Sequence, residues 1–309
     1  MTAQVSPVIL TKTGRPLEVR EYGDPGGDPA FFFHGLIGSH HQASYIADKA
    51  KECGLRIIAP NRPGVGRSAF TPRESPLEAV ADVEDMARIL QLDRFSVIGI
   101  SGGTPYALAC LYRLGHRIRT VTVISGMGPM RLPGALAGMD HRRRAALEIG
   151  SRYPRAARRE CRKWADRFRA DPTRFLARLI ATWPAPDRAL FQRPEVFDLF
   201  LRDLHQVFTE GQGPETFAQE LSLYRNYGFS LTDLPAELRV TLWHGLADSI
   251  VPPAMAWRMA QVIPNCEAHF VPGAHFVAIA ISEQIIGRLR QQLDELSGAG
   301  LVERVPAPK

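Results

Sequence analysis

Near its start, from Pro7, the chain has two β-rich runs, "PVILTKTGRPLEVREYG", joined around Thr13 and Gly14, and this pattern predicts a hairpin. After the turn-rich "DPGGDP" come "AFFFHG" and "LRIIAPNRPGVGRS", each a short apolar strand running into a glycine- or proline-rich loop. The period then changes. In "PLEAVADVEDMARILQL" the residues Val80, Val83, Met86, Ala87 and Leu90 share one face, as a helix requires. "RFSVIGIS" predicts a strand, "TPYALACLYRLGH" a helix and "IRTVTVISG" another strand. The same alternation resumes near the end with "LRVTLWHG", "PPAMAWRMAQVI" and "CEAHFVPG". A last helix, "SEQIIGRLRQQLDEL", carries Ile285, Ile286, Leu289, Leu293 and Leu296 at helical spacing. Strands that are apolar throughout, alternating with amphipathic helices, predict an α/β fold with a mostly parallel sheet covered on both faces.

Between residues 127 and 236 the alternation stops and helical periodicity takes over. Five helices are expected, in "MDHRRRAALEIGS", "PRAARRECRKWADRFRA", "DPTRFLARLIATW", "PEVFDLFLRDLHQVF" and "PETFAQELSLYRNY". Asp171 before Pro172 is a helix-start signal, and Pro214 with Glu215 is similar. The expected organisation is a core of residues 1–126 and 237–309 with residues 127–236 inserted as a helical cap rather than an independent domain. Such an insertion lies beyond the carboxyl ends of the strands, where open α/β sheets bind ligands.

Composition adds exclusions. At 45% hydrophobic and 23% charged residues the chain reads as an ordinary globular protein. No apolar run is long enough to span a bilayer, and the N-terminus lacks a signal-peptide pattern, so a cytoplasmic location is expected. Cys53, Cys110, Cys161 and Cys266 are scattered, which argues against a zinc site or disulfide framework and fits buried thiols. The net charge of +6 alone does not imply nucleic-acid binding, because no recognised binding module accompanies it.

One serine, Ser101, lies among glycines between a predicted strand and a predicted helix, in "FSVIGISGGTPYALACLYRL". A phosphate loop needs a lysine followed by Ser or Thr, and this stretch has no lysine; a dinucleotide loop needs glycine spacings that are absent. A trypsin-like reading of "GISGG" needs an antiparallel β protein with its His and Asp ahead of the serine. The remaining functional reading is a nucleophile elbow, G-x-S-x-G, as Gly99-Ile100-Ser101-Gly102-Gly103. There a sharp strand-to-helix bend leaves no room for side chains at Gly99 and Gly103. The bend also aims the Gly102 N–H at a developing oxyanion, so for Gly102 the N–H matters more than the missing side chain. Serine also needs a histidine base oriented by a carboxylate, expected in the order Ser, Asp or Glu, His. "WHGLADSIVPP" and "HFVPGAHF" supply Asp248 and His275, each just past a predicted strand.

The motifs "FFFHGLIGS", "APNRPGVGRS", "GISGG", "WHGLADSIVP" and "PGAHF", in this order, resemble the α/β-hydrolase superfamily, in particular its cap-bearing, esterase-like serine hydrolases. The resemblance implies a triad of Ser101, His275 and Asp248, with Leu36 joining Gly102 as a backbone oxyanion donor. It makes His34 and Gly35 loop support and Asn61 structural, although relatives often have Asp at that position. His244 and His269 read as structural, while His40 and His41 could line the pocket or lie on a solvated loop. No cofactor and no metal are expected. The implied activity is cleavage of a carboxylic ester or related acyl bond in a small-molecule substrate. Lactone, thioester, carbon–carbon bond or peracid chemistry on the same triad, and a non-catalytic binding protein, are the alternatives. The first half of the cap is strongly basic, from Arg142 to Arg169, which suits either a solvated surface or an anionic partner. Trp164, Phe168, Phe175, Leu176, Leu179 and Trp183 read mostly as cap core, with one or two facing the pocket.

Overall fold

A computed structural model describes residues 8–302. Pro7 of the expected hairpin and the ends of the expected core, 1–7 and 303–309, lie outside it. Eight strands form one sheet: β1 (Val8–Leu10), β2 (Pro16–Gly23), β3 (Asp28–Phe33), β4 (Leu55–Pro60), β5 (Phe95–Ile100), β6 (Ile118–Ile124), β7 (Val240–Gly245) and β8 (Cys266–Val271). Their spatial order is β1-β2-β4-β3-β5-β6-β7-β8, antiparallel at β1/β2 and β2/β4 and parallel elsewhere. The expected hairpin is β1/β2, with Gly14 at φ +75° in its turn.

Helices α1 (Ala47–Glu52), α2 (Val80–Ile89) and α3 (Thr104–Leu114) make the crossovers of the first half. The inserted region holds α4 (His141–Arg152), α5 (Pro154–Ala170), α6 (Pro172–Ile180), α7 (Ala185–Leu190), α8 (Pro194–His205) and α9 (Gly213–Leu223). After β7 come α10 (Pro253–Val262), α11 (Val277–Ala280) and α12 (Ser282–Val302). The short helices α1, α7 and α11 have no counterpart in the periodicity, because four to six residues are too few to display one. Leu296, expected on the buried face of the last helix, is 45% exposed.

The apolar runs in the strands have a direct cause. Along β3, Phe31 and Phe33 face a core layer that includes residues of α2, α3 and α10, while Ala30 and Phe32 face one that includes residues of α1 and α12. Successive side chains point to opposite faces, and both faces are covered, so neither needs polar residues. The cap has a core of its own, centred on Phe168, Leu176, Trp183, Phe191, Phe200 and Phe208. Asp171 caps α6 by accepting the Arg174 N–H at 2.9 Å. All four cysteines are unpaired; Cys110 and Cys161 are buried, but Cys53 and Cys266 are only half-buried, which departs from the expectation of buried thiols.

The strand order places the site. From β3 the chain crosses to β4 on one side, and from β4 it returns to β5 on the other. The crevice at such a reversal lies between the carboxyl ends of the two flanking strands. Those ends are Phe33, leading into His34-Gly35-Leu36, and Ile100, leading into Ser101.

Candidate active site

β5 is buried along its whole length and turns into α3 through Ser101, whose φ of +50° lies in the left-handed region. A non-glycine residue there is strained and is held only because its surroundings dictate it. A Cβ on Gly103 would lie 2.0 Å from the Phe33 carbonyl oxygen, and one on Gly99 would lie 2.9 Å from both the Gly103 oxygen and Thr104 Cα. Gly102 is constrained as well. Its Cβ would fall 2.1 Å from Tyr224 Oη and 2.9 Å from the Leu36 nitrogen, so the missing side chain matters beside the N–H.

Ser101 Oγ is 2.9 Å from His275 Nε2, and His275 Nδ1 is 2.8 Å from Asp248 Oδ2. A carboxylate can only accept, so Nδ1 carries the proton of the neutral ring and Nε2 is free to accept from the serine hydroxyl. Asp248 is oriented in turn, its Oδ1 accepting the N–H groups of Ile250 (2.8 Å) and Val251 (2.9 Å). Burial, the largest single influence, disfavours the charged imidazole. The Asp248 carboxylate and then Asp187 outweigh it, and His275 ends above the ordinary histidine value. The three residues expected from their order along the chain therefore meet in one hydrogen-bonded relay.

The loop after β3 is braced from within. His34 is buried and kept neutral by burial and the nearby Arg62 charge; its Nδ1 donates to the Gly35 oxygen (2.9 Å) and its Nε2 accepts the Arg62 N–H (3.3 Å). The buried Arg62 guanidinium donates to the carbonyls of His34 (2.8 Å), Gly35 (2.6 Å) and Gly102 (3.0 Å), tying this loop to the elbow. Its counter-charge is Glu220 of α9, 3.5 Å away, which also accepts from the Tyr106 hydroxyl. Gln42 accepts the Gly35 N–H (2.7 Å) and donates to Asp203 of α8 (2.8 Å). Asp203 also accepts from the Ser39 N–H (2.6 Å) and hydroxyl (2.5 Å), and burial pushes its pKa up to about 7.

None of His244, His269, His40 and His41 joins the relay. His244 is buried beneath the Asp248 turn, its Nε2 donating to the Val251 carbonyl at 2.9 Å. His269 stacks on Trp243, with ring centroids 4.0 Å apart, and bonds Glu267. His40 is buried on Tyr22 and Asn61, and neither it nor His41 lines the cavity over Ser101. Asn61 bridges Glu18, Gln206 and the His40 N–H.

Above Ser101 opens a cavity of about 510 Å³, with His275, Leu36 and Gly102 at its base. Its walls are apolar, from Ile37, Ile100, Met127, Leu147, Phe217, Leu221 and Ile250, and Trp164, Leu179 and Trp183 join them. Three of the six cap residues thus face the cavity, more than the one or two expected, while Phe168 and Leu176 are cap core. Arg143, Arg159 and Glu160 are the charged cap residues of the lining. Sequence reasoning missed Asp187, Asp203, Glu220, Arg62 and Gln42. The signal for two of them was available: Asp203 and Glu220 occupy the apolar stripes of α8 and α9, where an acid is out of place.

Comparison with known proteins places this geometry in context. The family model described as the alpha/beta hydrolase fold matches residues 29–279. A hydrolase from Pseudomonas aeruginosa PA01 superposes with TM-score 0.68 at 16% identity, covering 94% of this chain and 99% of its own. A thermophilic esterase from Thermogutta terrifontis gives 0.66 at 19%, covering 95% and 99%. The enol-lactonase from Burkholderia xenovorans LB400 gives 0.67 at 15%, covering 93% and 100%. At these identities the likeness is one of fold, and the chemistry rests on the relay itself. A family match over most of the chain, with a left-handed serine at the sheet's reversal point, leaves one conclusion: this chain belongs to the α/β-hydrolase family.

Proposed function

We propose that the protein hydrolyses carboxylic esters, or closely related acyl bonds, of substrates with a bulky apolar part. The observation that carries this reading is the Ser101–His275–Asp248 relay opening directly into an apolar cavity of about 510 Å³. Ser101 Oγ attacks the acyl carbon while its proton passes to His275 Nε2. Asp248 stays ionised and stabilises the imidazolium. The carbonyl oxygen, now anionic, is held by the N–H groups of Leu36 and Gly102. Gly102 stands in the first helical turn, where N–H groups lack an intrahelical acceptor, and the Leu36 nitrogen is its close neighbour. His275 then protonates the departing alkoxide, leaving an acyl-Ser101. Water attacks this ester, gives its proton to His275, and releases the acid and free serine. His34 and Gly35 shape the donor loop, and Gly99 and Gly103 permit the elbow.

The charge of the cap bears on the substrate as well. α4 and α5 together carry eleven basic residues against three acidic, a surplus larger than the +6 of the whole chain. Arg143 and Arg159, set against the single carboxylate of Glu160, bring part of it to the cavity lining. This supports substrates with an anionic group remote from the scissile bond, drawn in by the local field. Among the described residues no helix is long and apolar enough to cross a membrane.

The test is turnover of p-nitrophenyl esters of increasing acyl length, with and without a terminal carboxylate, combined with fluorophosphonate labelling. Wild type should be labelled and prefer acyl groups longer than acetyl, and Ser101→Ala should be neither labelled nor active. A folded wild type that resists the label and cleaves none of these esters would refute the reading.

A further inference from the structure

One buried carboxylate touches the catalytic histidine's loop without entering the chemistry above. Asp187 lies on α7, a cap helix, and is fully buried. Its Oδ2 accepts the His275 N–H at 3.0 Å and its Oδ1 accepts the Phe276 N–H at 3.0 Å. A single carboxylate therefore spans two consecutive backbone donors and fixes the peptide between them. The next side chain is held by the cap too: the Phe276 ring packs on Trp183 and Phe191, with centroids 4.8 Å from each, and on Phe200 at 5.7 Å. From the core side, Ser125 Oγ donates to the His275 carbonyl at 2.7 Å. The His275 backbone is thus gripped between core and cap, and its ring is left to Asp248 and Ser101.

We propose that Asp187 is a positioning residue for His275. Through the two amides it sets where Nε2 stands over Ser101 Oγ, and its negative charge favours the imidazolium that forms as the serine attacks. The charged and titratable groups around His275 are His244 from β7, Asp248 from the loop after it, Asp187 from α7 and Arg143 from α4. Of these, Asp248 and Asp187 favour protonation of His275, and Arg143 opposes it.

This proposal rests on the ester-hydrolase reading, so the experiment reads both. Wild type, Asp187→Asn and Asp187→Ser are compared for kcat and KM across pH and for the rate of fluorophosphonate labelling, with folding checked by urea unfolding. Loss of the clamp should lower kcat and labelling roughly 10- to 100-fold, as expected for a misplaced base, with KM little changed. It should also move the acid limb of the kcat profile to lower pH, so the deficit is greatest on the alkaline side. A purely structural role would scale the profile without moving that limb. A folded variant with wild-type kcat, or with reduced kcat and an unmoved limb, overturns the proposal. Failure of both variants to fold also overturns it, by assigning Asp187 to stability. An unlabelled, inactive wild type removes the ester-hydrolase reading and the proposal with it, whereas a labelled wild type with an indifferent Asp187→Asn removes the proposal alone.

Discussion

Replacing Gly102 by alanine adds a single methyl group where two neighbours already stand. The new carbon would lie 2.1 Å from Tyr224 Oη, 2.9 Å from the Leu36 nitrogen and 3.1 Å from Leu36 Cα. The two obstacles differ in how they can yield. Tyr224 Oη is the far end of a side chain and has no hydrogen-bond partner among the described residues, so it can retreat at the cost of packing alone. Leu36 is backbone, on a loop pinned next door by Gln42 and Arg62, so moving it displaces a proposed oxyanion donor. Overpacking of this kind costs about 1–3 kcal/mol of stability. Loss of one oxyanion donor costs roughly 10²–10³ in kcat. Tyr224→Phe removes the closer obstacle. Alone it should be neutral or stabilising by up to about 1 kcal/mol, because a buried hydroxyl without a partner is a burden. In the double variant it should restore much of the stability lost to Gly102→Ala and little of the activity. Urea unfolding and p-nitrophenyl ester kinetics on the four proteins give both numbers. Wild-type kcat in Gly102→Ala, or full recovery of kcat in the double variant, would show that the Leu36 backbone is not the limiting contact.

Three further outcomes follow from the same geometry. Asp248→Asn offers an amide N–H to His275 Nδ1 and imposes the wrong tautomer, so kcat should fall roughly 10⁴-fold with the fold retained; steady-state kinetics and circular dichroism test this. His275 sits above the ordinary histidine value and must be neutral to accept the serine proton. Activity is therefore lost as pH falls, and the midpoint of the acid limb of kcat/KM should lie above 6.5; a midpoint below it contradicts the electrostatics described. Asp203→Asn places an N–H against the Gln42 amide; turning that amide strips the Gly35 N–H of its acceptor, at a cost of about 1–3 kcal/mol. Since burial raises the Asp203 pKa to about 7, its contribution is fully present below the unfolded value near 4 and is lost as pH rises through 7. The deficit of Asp203→Asn, read from urea unfolding, should accordingly be smaller at pH 8 than at pH 5.

The sheet and the triad were legible because their causes are local. Strands covered on both faces leave continuous apolar runs such as "AFFF", and the elbow writes its steric demands into Gly99 and Gly103. Asp248 and His275 could be found because the loop after each strand lies at the same sheet edge. What was hidden arises from the docking of cap on core. Asp187 lies on a six-residue helix with no periodicity to announce it, and its partners, the His275 and Phe276 amides, are almost ninety positions away. Asp203 and Glu220 interrupt apolar stripes, a visible irregularity, yet only the assembled loops reveal which donors they serve. Gly102 reads as an amide in the sequence; what leaves it no room for a side chain is the Leu36 backbone and Tyr224, brought there by the fold.

Strands β6 and β7 are neighbours in the sheet, although the whole cap separates them along the chain. Closing a connection of that kind costs entropy that grows only logarithmically, about 0.6 kcal/mol for each doubling of its length. Natural variation at this seam is therefore thermodynamically cheap, and what lengthens or shortens there is the roof over the scissile bond. Substrate range can drift through this one insertion while the sheet beneath stays fixed. Selection on the insertion meets its firmest constraint at Asp187, Asp203 and Glu220, where a change of roof would also disturb the loops of the machinery below.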